Sequence, residues 1–171
     1  MIDSHAHLND PQFSADLAEV VARAEQNGVS GIINVGYDLL SSQKAVQLVE
    51  EYPGLYAVVG VHPHDAKTWD SSVEQAIADL AAHAEVLAIG ESGLDYYYDH
   101  SPRDVQQAVF RAQLALARAL NLPLVVHSRD AARDTLEILQ EFSDVPCVLH
   151  CYSGSWEMAR EYLKMGHYFS I

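Results

Sequence analysis

Cations are scarce in this chain: 10 lysines and arginines face 24 aspartates and glutamates, for a formal net charge of −14. A protein that holds nucleic acid across a broad basic face needs the opposite balance, so the composition argues against that class. An enzyme that meets phosphate through bound cations is compatible with it, because acidic sites recruit divalent ions. Cysteine is nearly absent, represented by Cys147 and Cys151 alone. Placed on one strand, residues four apart are separated by ~13 Å. A disulfide needs Cα atoms within ~7 Å, so no structural bridge is expected, in keeping with a reducing compartment. No apolar run approaches the ~20 residues that span a bilayer, and no membrane partner is expected. The opening Met1-Ile2-Asp3-Ser4-His5 has neither a basic start nor an apolar signal core, so a cytoplasmic location is expected. A G-x-G-x-x-G phosphate loop is also lacking.

What is present is a regular alternation of short apolar runs and longer helical patterns. The runs are Met1–His7, Ser30–Gly36, Leu55–Val61, Val86–Gly90, Leu122–His127, Cys147–His150 and the start of another over 168–171. Between them, helices are expected over Ser14–Asn27, Leu40–Tyr52, Ser72–His83, Pro102–Leu120, Ala131–Phe142 and Ser155–Met165. In the fourth of these helices, Val105, Val109, Ala112 and Leu116 mark one buried stripe. Near-continuous Val/Ile/Leu strands separated by helices predict a parallel sheet covered on both faces. A doubly wound sheet and a barrel compete. Repeated βα units without a compositional break, and the missing glycine-rich loop, favour the barrel. The expected fold is α/β, a TIM-type (β/α) barrel, with residues 1–171 forming one incomplete barrel domain truncated before strand eight, since a whole barrel takes ~250 residues. Such an incomplete barrel is expected to show little hydrolase activity by itself, with unpaired backbone at its edges.

The nine histidines are the loudest feature of the composition. The candidate strands end in His5-Ala6-His7, His62-Pro63-His64, Glu91-Ser92-Gly93-Leu94-Asp95, His127-Ser128-Arg129-Asp130 and His150-Cys151-Tyr152. Barrel active sites lie at the C-terminal strand ends, so these groups are brought to one mouth. Residues two apart on a strand share a face, and one ion can take the imidazoles of both His5 and His7. Imidazole and carboxylate together suit borderline divalent ions. Glu91, between the two histidine sets, is placed to bridge two ions, with His127 and His150 completing the second. A lone strand-end histidine more often serves a hydrogen bond; the assembly of five groups is what points to metal. His62 is expected to bind substrate or support a ligand. Arg129 is expected to grip an anionic substrate, against the plainer alternative of an ion pair with Asp130 or Asp134. Tyr96-Tyr97-Tyr98 could stack on bases or pack as a lid on the rim. His83, His100 and His167 are expected at the surface.

These blocks together resemble the signature segments of the TatD-related hydrolases: His5-Ala6-His7, Gly60-Val61-His62-Pro63-His64, Gly90-Glu91-Ser92-Gly93-Leu94-Asp95-Tyr96, His127-Ser128-Arg129-Asp130-Ala131 and His150-Cys151-Tyr152-Ser153-Gly154. They occur in the family's order along the whole chain. The resemblance implies an amidohydrolase-type barrel, two divalent ions (Mg²⁺, Mn²⁺ or Zn²⁺) and hydrolysis of phosphodiester bonds, chiefly in DNA and often from the 3′ end. It implies that His5 and His7 bind the first ion, that Glu91 is the catalytic bridge, and that His127 and His150 bind the second. Family members also carry an Asp at the end of strand eight; no residue up to Ile171 takes that role.

The leading expectation is therefore a deoxyribonuclease that cleaves phosphodiester bonds with a two-metal-activated water. A small-molecule amidohydrolase or phosphoesterase is the rival enzyme. Many of those bridge their ions with a carboxylated lysine, but Lys44, Lys67 and Lys164 stand near no strand end facing the mouth. A metal-binding fragment without catalysis is the third reading. DNA or another phosphodiester is the expected partner; the sequence fixes no oligomeric state.

Overall fold

The structure is a computed structural model and describes residues 1–170. Seven parallel strands form one sheet in simple sequential order. They are β1 (Ile2–Ala6), β2 (Gly31–Val35), β3 (Leu55–Val59), β4 (Val86–Asp95), β5 (Leu124–Arg129), β6 (Cys147–Leu149) and β7 (Tyr168–Phe169). Six helices make the crossovers: α1 (Leu17–Gln26), α2 (Leu39–Glu51), α3 (Ser71–Ala81), α4 (Arg103–Leu120), α5 (Ala132–Glu141) and α6 (Trp156–Lys164). The sheet is curled: the His5 ring, on β1, stacks at 3.9 Å on the His150 ring just past β6. The expected barrel-type α/β architecture is thus observed. No helix among the described residues is long and apolar enough to cross a membrane.

Two apolar layers follow from strand alternation. Val35, Val58, Ala88 and Val125, with Ile33 against them, form a small cluster on the concave side. The alternate residues Ile32, Ala57, Val59, Ile89, Leu124 and Leu149 join helix residues such as Leu48, Ile77, Phe110 and Ile138 in the main core. Helix starts are fixed by polar caps. The Asp38 carboxylate accepts from Ser41 N and forms a capping box with it, Asp70 caps α3 and Ser155 caps α6.

The largest departure from the sequence reading is β4. Its expected end at Gly90 is passed, and the strand runs on to Asp95. Gly90 and Gly93, with φ of +126° and +143°, are what permit this. A Cβ on Gly93 would stand 2.0 Å from the His127 carbonyl oxygen, and one on Gly90 would stand 2.6 Å from that of Val125. Glycine therefore lets β4 lie tight against β5. Between Ile89↔Leu124 and Ser92↔Val126 the register slips by one residue, a bulge on β4. Because side chains alternate with period two, the extra residue inverts which of them face inward. Ala88 faces the concave side before the bulge, and Glu91, Gly93 and Asp95 face it afterwards.

Smaller departures have local causes. Pro11–Phe13 forms a separate 3-10 turn capped by Asp10, so α1 begins at Leu17 rather than Ser14. Strand β5 extends to Arg129. Cys147 is buried, Cys151 is exposed, and both are free thiols.

Candidate metal centre

Glu91 is the hub of the mouth, and five imidazoles converge on its buried carboxylate. The nearest nitrogens of His150, His127, His5, His62 and His7 lie at 2.5, 3.1, 3.4, 3.7 and 3.9 Å from a Glu91 oxygen. Every one of the metal and substrate residues expected from the sequence, Arg129 apart, is within this cluster. They line an open cavity of about 460 Å³ together with Tyr37, His64 and Asp65.

Fixed hydrogen-bond partners assign the protons. His7 Nδ1 lies 2.9 Å from the carbonyl oxygen of Val35. A carbonyl only accepts, so Nδ1–H donates there and the Nε2 lone pair points toward Glu91. His127 Nε2 lies 3.0 Å from Asp95 Oδ2, while its Nδ1 faces Glu91 Oε1 at 3.1 Å. With Nε2–H given to Asp95, neutral His127 also turns a lone pair toward Glu91. These are the orientations that metal-ligating histidines adopt, one nitrogen held by a carbonyl or carboxylate and the other free to ligate.

His62 is wired the other way. Its Nδ1 accepts the backbone N–H of His64 at 3.1 Å, so the proton of the neutral ring sits on Nε2. The ring then presents a donor, not a lone pair, to the mouth. Groups of ligand atoms close enough to share an ion are His5, Glu91 and His150, and His62, Glu91 and His127. Proximity alone admits His62; its tautomer favours a donor role.

Burial would raise the Glu91 pKa, but the His127, His150 and His5 imidazoles gathered around it outweigh this and hold the carboxyl well below its ordinary value. Burial lowers His62 to about 3, so it is neutral at physiological pH. Burial works against the charged form of His127 too, but the Glu91 and Asp95 carboxylates outweigh it and raise its pKa.

Whether a cation fits can be judged from His5, whose two ring nitrogens are both buried without a hydrogen-bond partner. A buried unsatisfied imidazole costs roughly 1–3 kcal/mol. Two lone pairs from His7 and His127 aimed at a carboxylate are repulsive as well. A positive ion beside Glu91 relieves all of this, so the donor set fits divalent metal.

Asp95, for which the sequence alone suggests no role, stands directly behind this cluster. It is fully buried, and its Oδ2 lies 3.0 Å from both His127 Nε2 and His64 Nε2. Burial opposes its ionised form, yet the Tyr98 backbone N–H and the His64 and His127 rings lower its pKa to about 2. Helix α4 clamps this region from behind. Gln106 exchanges hydrogen bonds with the Asp95 backbone, and Gln113 does the same with Val61 while donating to Ser92 Oγ. The signal for Asp95 was its spacing, Glu91-x-Gly93-x-Asp95, had the glycines been read as strand.

One alternative falls away and one expectation needs correction. Arg129 forms neither of the ion pairs considered for it: its guanidinium lies over the rings of Tyr97 and Tyr98, at 4.2 and 4.9 Å from their centroids. Asp134 instead accepts from the Tyr96 hydroxyl and Gln107. His167, expected at the surface, is 2% exposed, because it sits where α6 turns back into the sheet. His100 is exposed, and His83 is half-buried between Glu50 and Glu85.

A parallel curled sheet with histidines and one carboxylate gathered at its C-terminal strand ends defines a metal-dependent hydrolase of the barrel class. Residues 2–171 match the family described as TatD related DNase, and the chain belongs to that family. It is 45% identical over its whole length to the uncharacterized metal-dependent hydrolase YabD of Bacillus subtilis, covering 68% of that protein. It is 40% identical to the 3′-5′ ssDNA/RNA exonuclease TatD of Shigella flexneri, covering 66% of it. The crystal structure of YJJV, a TatD homologue from Escherichia coli, superposes with a TM-score of 0.92 at 30% identity, over 99% of this chain and 66% of that one. The chain thus spans about two thirds of the length of these relatives.

Proposed function

We propose that this chain carries the metal centre of a phosphodiesterase acting on nucleic acid strands, with DNA as the leading substrate. The observation that carries the reading is the convergence of five imidazoles on Glu91. Relatives named as 3′-5′ ssDNA/RNA exonucleases support the substrate class. His5, His7, Glu91, His127 and His150 would hold two divalent ions, with Glu91 shared between them; Mg²⁺, Mn²⁺ and Zn²⁺ all suit these donors. Bound there, such ions supply Lewis acidity and lower the pKa of water toward ~7.

The chain's own groups set the stage for that chemistry. Glu91 stays ionised throughout the neutral range and carries the negative charge that attracts cations. Asp95 fixes the His127 ring and its tautomer. His62, neutral with its proton on Nε2, offers a hydrogen bond to a phosphate oxygen at the mouth. Arg129 follows His127 by two residues on β5, exposed at the rim, where a guanidinium can meet a second phosphate.

The test is to incubate the protein carrying this chain with labelled single-stranded DNA, RNA, duplex DNA and a small phosphodiester, each with Mg²⁺, Mn²⁺ or Zn²⁺. Metal-dependent release of nucleotides from the single strands, abolished by a chelator, is expected. No hydrolysis of any phosphodiester with any of the three metals would overturn the reading.

A further inference from the structure

We propose that Tyr97, braced by Tyr98 and Arg129, is a stacking ledge for an unpaired nucleobase of the strand whose phosphate reaches the metal centre. This rests on the phosphodiesterase reading and adds to it a site for the base.

The three consecutive tyrosines diverge. Tyr96 turns inward, its hydroxyl donating to Asp134 at 2.6 Å and its ring covered by Arg103. Tyr97 and Tyr98 turn outward and are 58% and 48% exposed. A rim lid would bury these rings; here they stand uncovered, yet they are not loose. Their backbone N–H groups both donate to Asp95 Oδ1, at 3.1 and 2.9 Å. Arg129 covers one side of Tyr97. Tyr98 meets Tyr97 edge to face at 4.8 Å and lies nearly parallel to the His100 ring. A rigid, exposed aromatic face has its ordering cost met during folding, which is what a binding platform requires.

Position and charge select the occupant. The Tyr98 ring is 5.3 Å from His64, and His64 is 6.3 Å from His127. Asp95 holds the ledge with one oxygen and His127 with the other, so ledge and centre are fixed to each other. Arg129 has no carboxylate partner among the described residues, whereas Arg103, Arg111, Arg118 and Arg133 are all paired. In a chain of net charge −14, a free guanidinium stacked on exposed rings suits a ligand that is flat, aromatic and flanked by negative charge. A nucleotide within a single strand has those properties. In a duplex both faces of each base are covered by neighbours, so the ledge selects unpaired bases.

The experiment measures fluorescence anisotropy of a labelled, phosphorothioate-linked single-stranded oligonucleotide, which resists hydrolysis, on the metal-loaded protein. A second probe lacks one base near its 3′ end. Tyr97→Ala should weaken binding of the intact strand by about 5- to 100-fold, the range for one stacked base. Removing the base should cost the wild type a similar factor and cost Tyr97→Ala almost nothing. Tyr97→Phe, which keeps the ring, should restore discrimination between the two probes. Undiminished binding by Tyr97→Ala, or an equal base penalty in variant and wild type, would overturn the ledge alone. No binding of either strand by the wild type would overturn the nuclease reading and the ledge together.

Discussion

Asp95 and His127 are joined by a 3.0 Å contact between Oδ2 and Nε2 that leaves the other imidazole nitrogen facing Glu91. The same carboxylate oxygen holds His64, and its partner oxygen holds the Tyr97–Tyr98 turn. One buried side chain thus orients a ligand, a loop and the rim. Asp95→Asn keeps the shape but offers at most one oxygen and adds a donor that faces two rings. Its divalent-metal affinity, measured by calorimetric titration, should fall about 10- to 100-fold, the usual cost of losing such a partner. Far-ultraviolet circular dichroism should stay near that of the wild type. An unchanged affinity would remove Asp95 from this role.

Acid should destabilise the metal-free protein before its carboxylates are protonated. His62 titrates at about 3 in the folded chain, against ~6.5 when unfolded. Burial shifts His167 in the same direction. Between those values the unfolded state binds more protons, so stability falls as pH drops below ~6.5. His127 offsets only a small part of this loss: its raised pKa gives a contribution that grows as pH falls through the folded value and is fully present below ~6.5. Glu91, depressed, loses its contribution only as pH falls below ~4.3. Urea unfolding at pH 5 should therefore show a lower stability than at pH 7, with His62 contributing about 2 kcal/mol of the difference. His62→Gln should flatten that slope; equal midpoints at both pH values in the wild type would contradict the assignment.

Gly93 sets how closely β4 approaches His127. With φ of +143° and the His127 carbonyl 2.0 Å from where a Cβ would stand, Gly93→Ala is both strained and blocked. It should cost about 2–4 kcal/mol and weaken metal binding as well, since β5 must shift. Gly28→Ala is the control, at φ +84° with nothing within 4 Å of its added methyl; it should cost about 1 kcal/mol. Thermal melts of the two variants compare them directly, and similar losses would show that close strand contact is not what Gly93 provides.

Most of the architecture was legible in the sequence because buried parallel strands and amphipathic helices write different periods into the chain. The clustering of the candidate ligands was legible for a related reason: His5, His7, His127 and His150 stand at or near the C-terminal ends of their strands, and Glu91 lies within β4 level with them. What escaped notice depends on irregular backbone. The bulge before Ser92 inverts strand parity, so no period-two count carried through from Ala88 reaches Asp95. Glycine at 90 and 93 signals a break in most strands, and here it marks close packing of one strand on the next. For Arg129, residue type suggests a phosphate or an acidic neighbour, and only the exposed position beside two outward-turned rings shows the contact it makes within the chain. His167 shows the converse error, a polar residue in a short connection that the helix–sheet junction covers.

The claim that Glu91 anchors a two-ion centre is tested most directly by anomalous diffraction from crystals of the protein soaked in Mn²⁺. Two anomalous peaks flanking the Glu91 carboxylate, ~3.5–4 Å apart and within bonding distance of His5, His7, His127 and His150, are expected, with both lost in Glu91→Ala. Absence of manganese from this cluster at saturating Mn²⁺, or full occupancy of both positions in Glu91→Ala, would contradict the account.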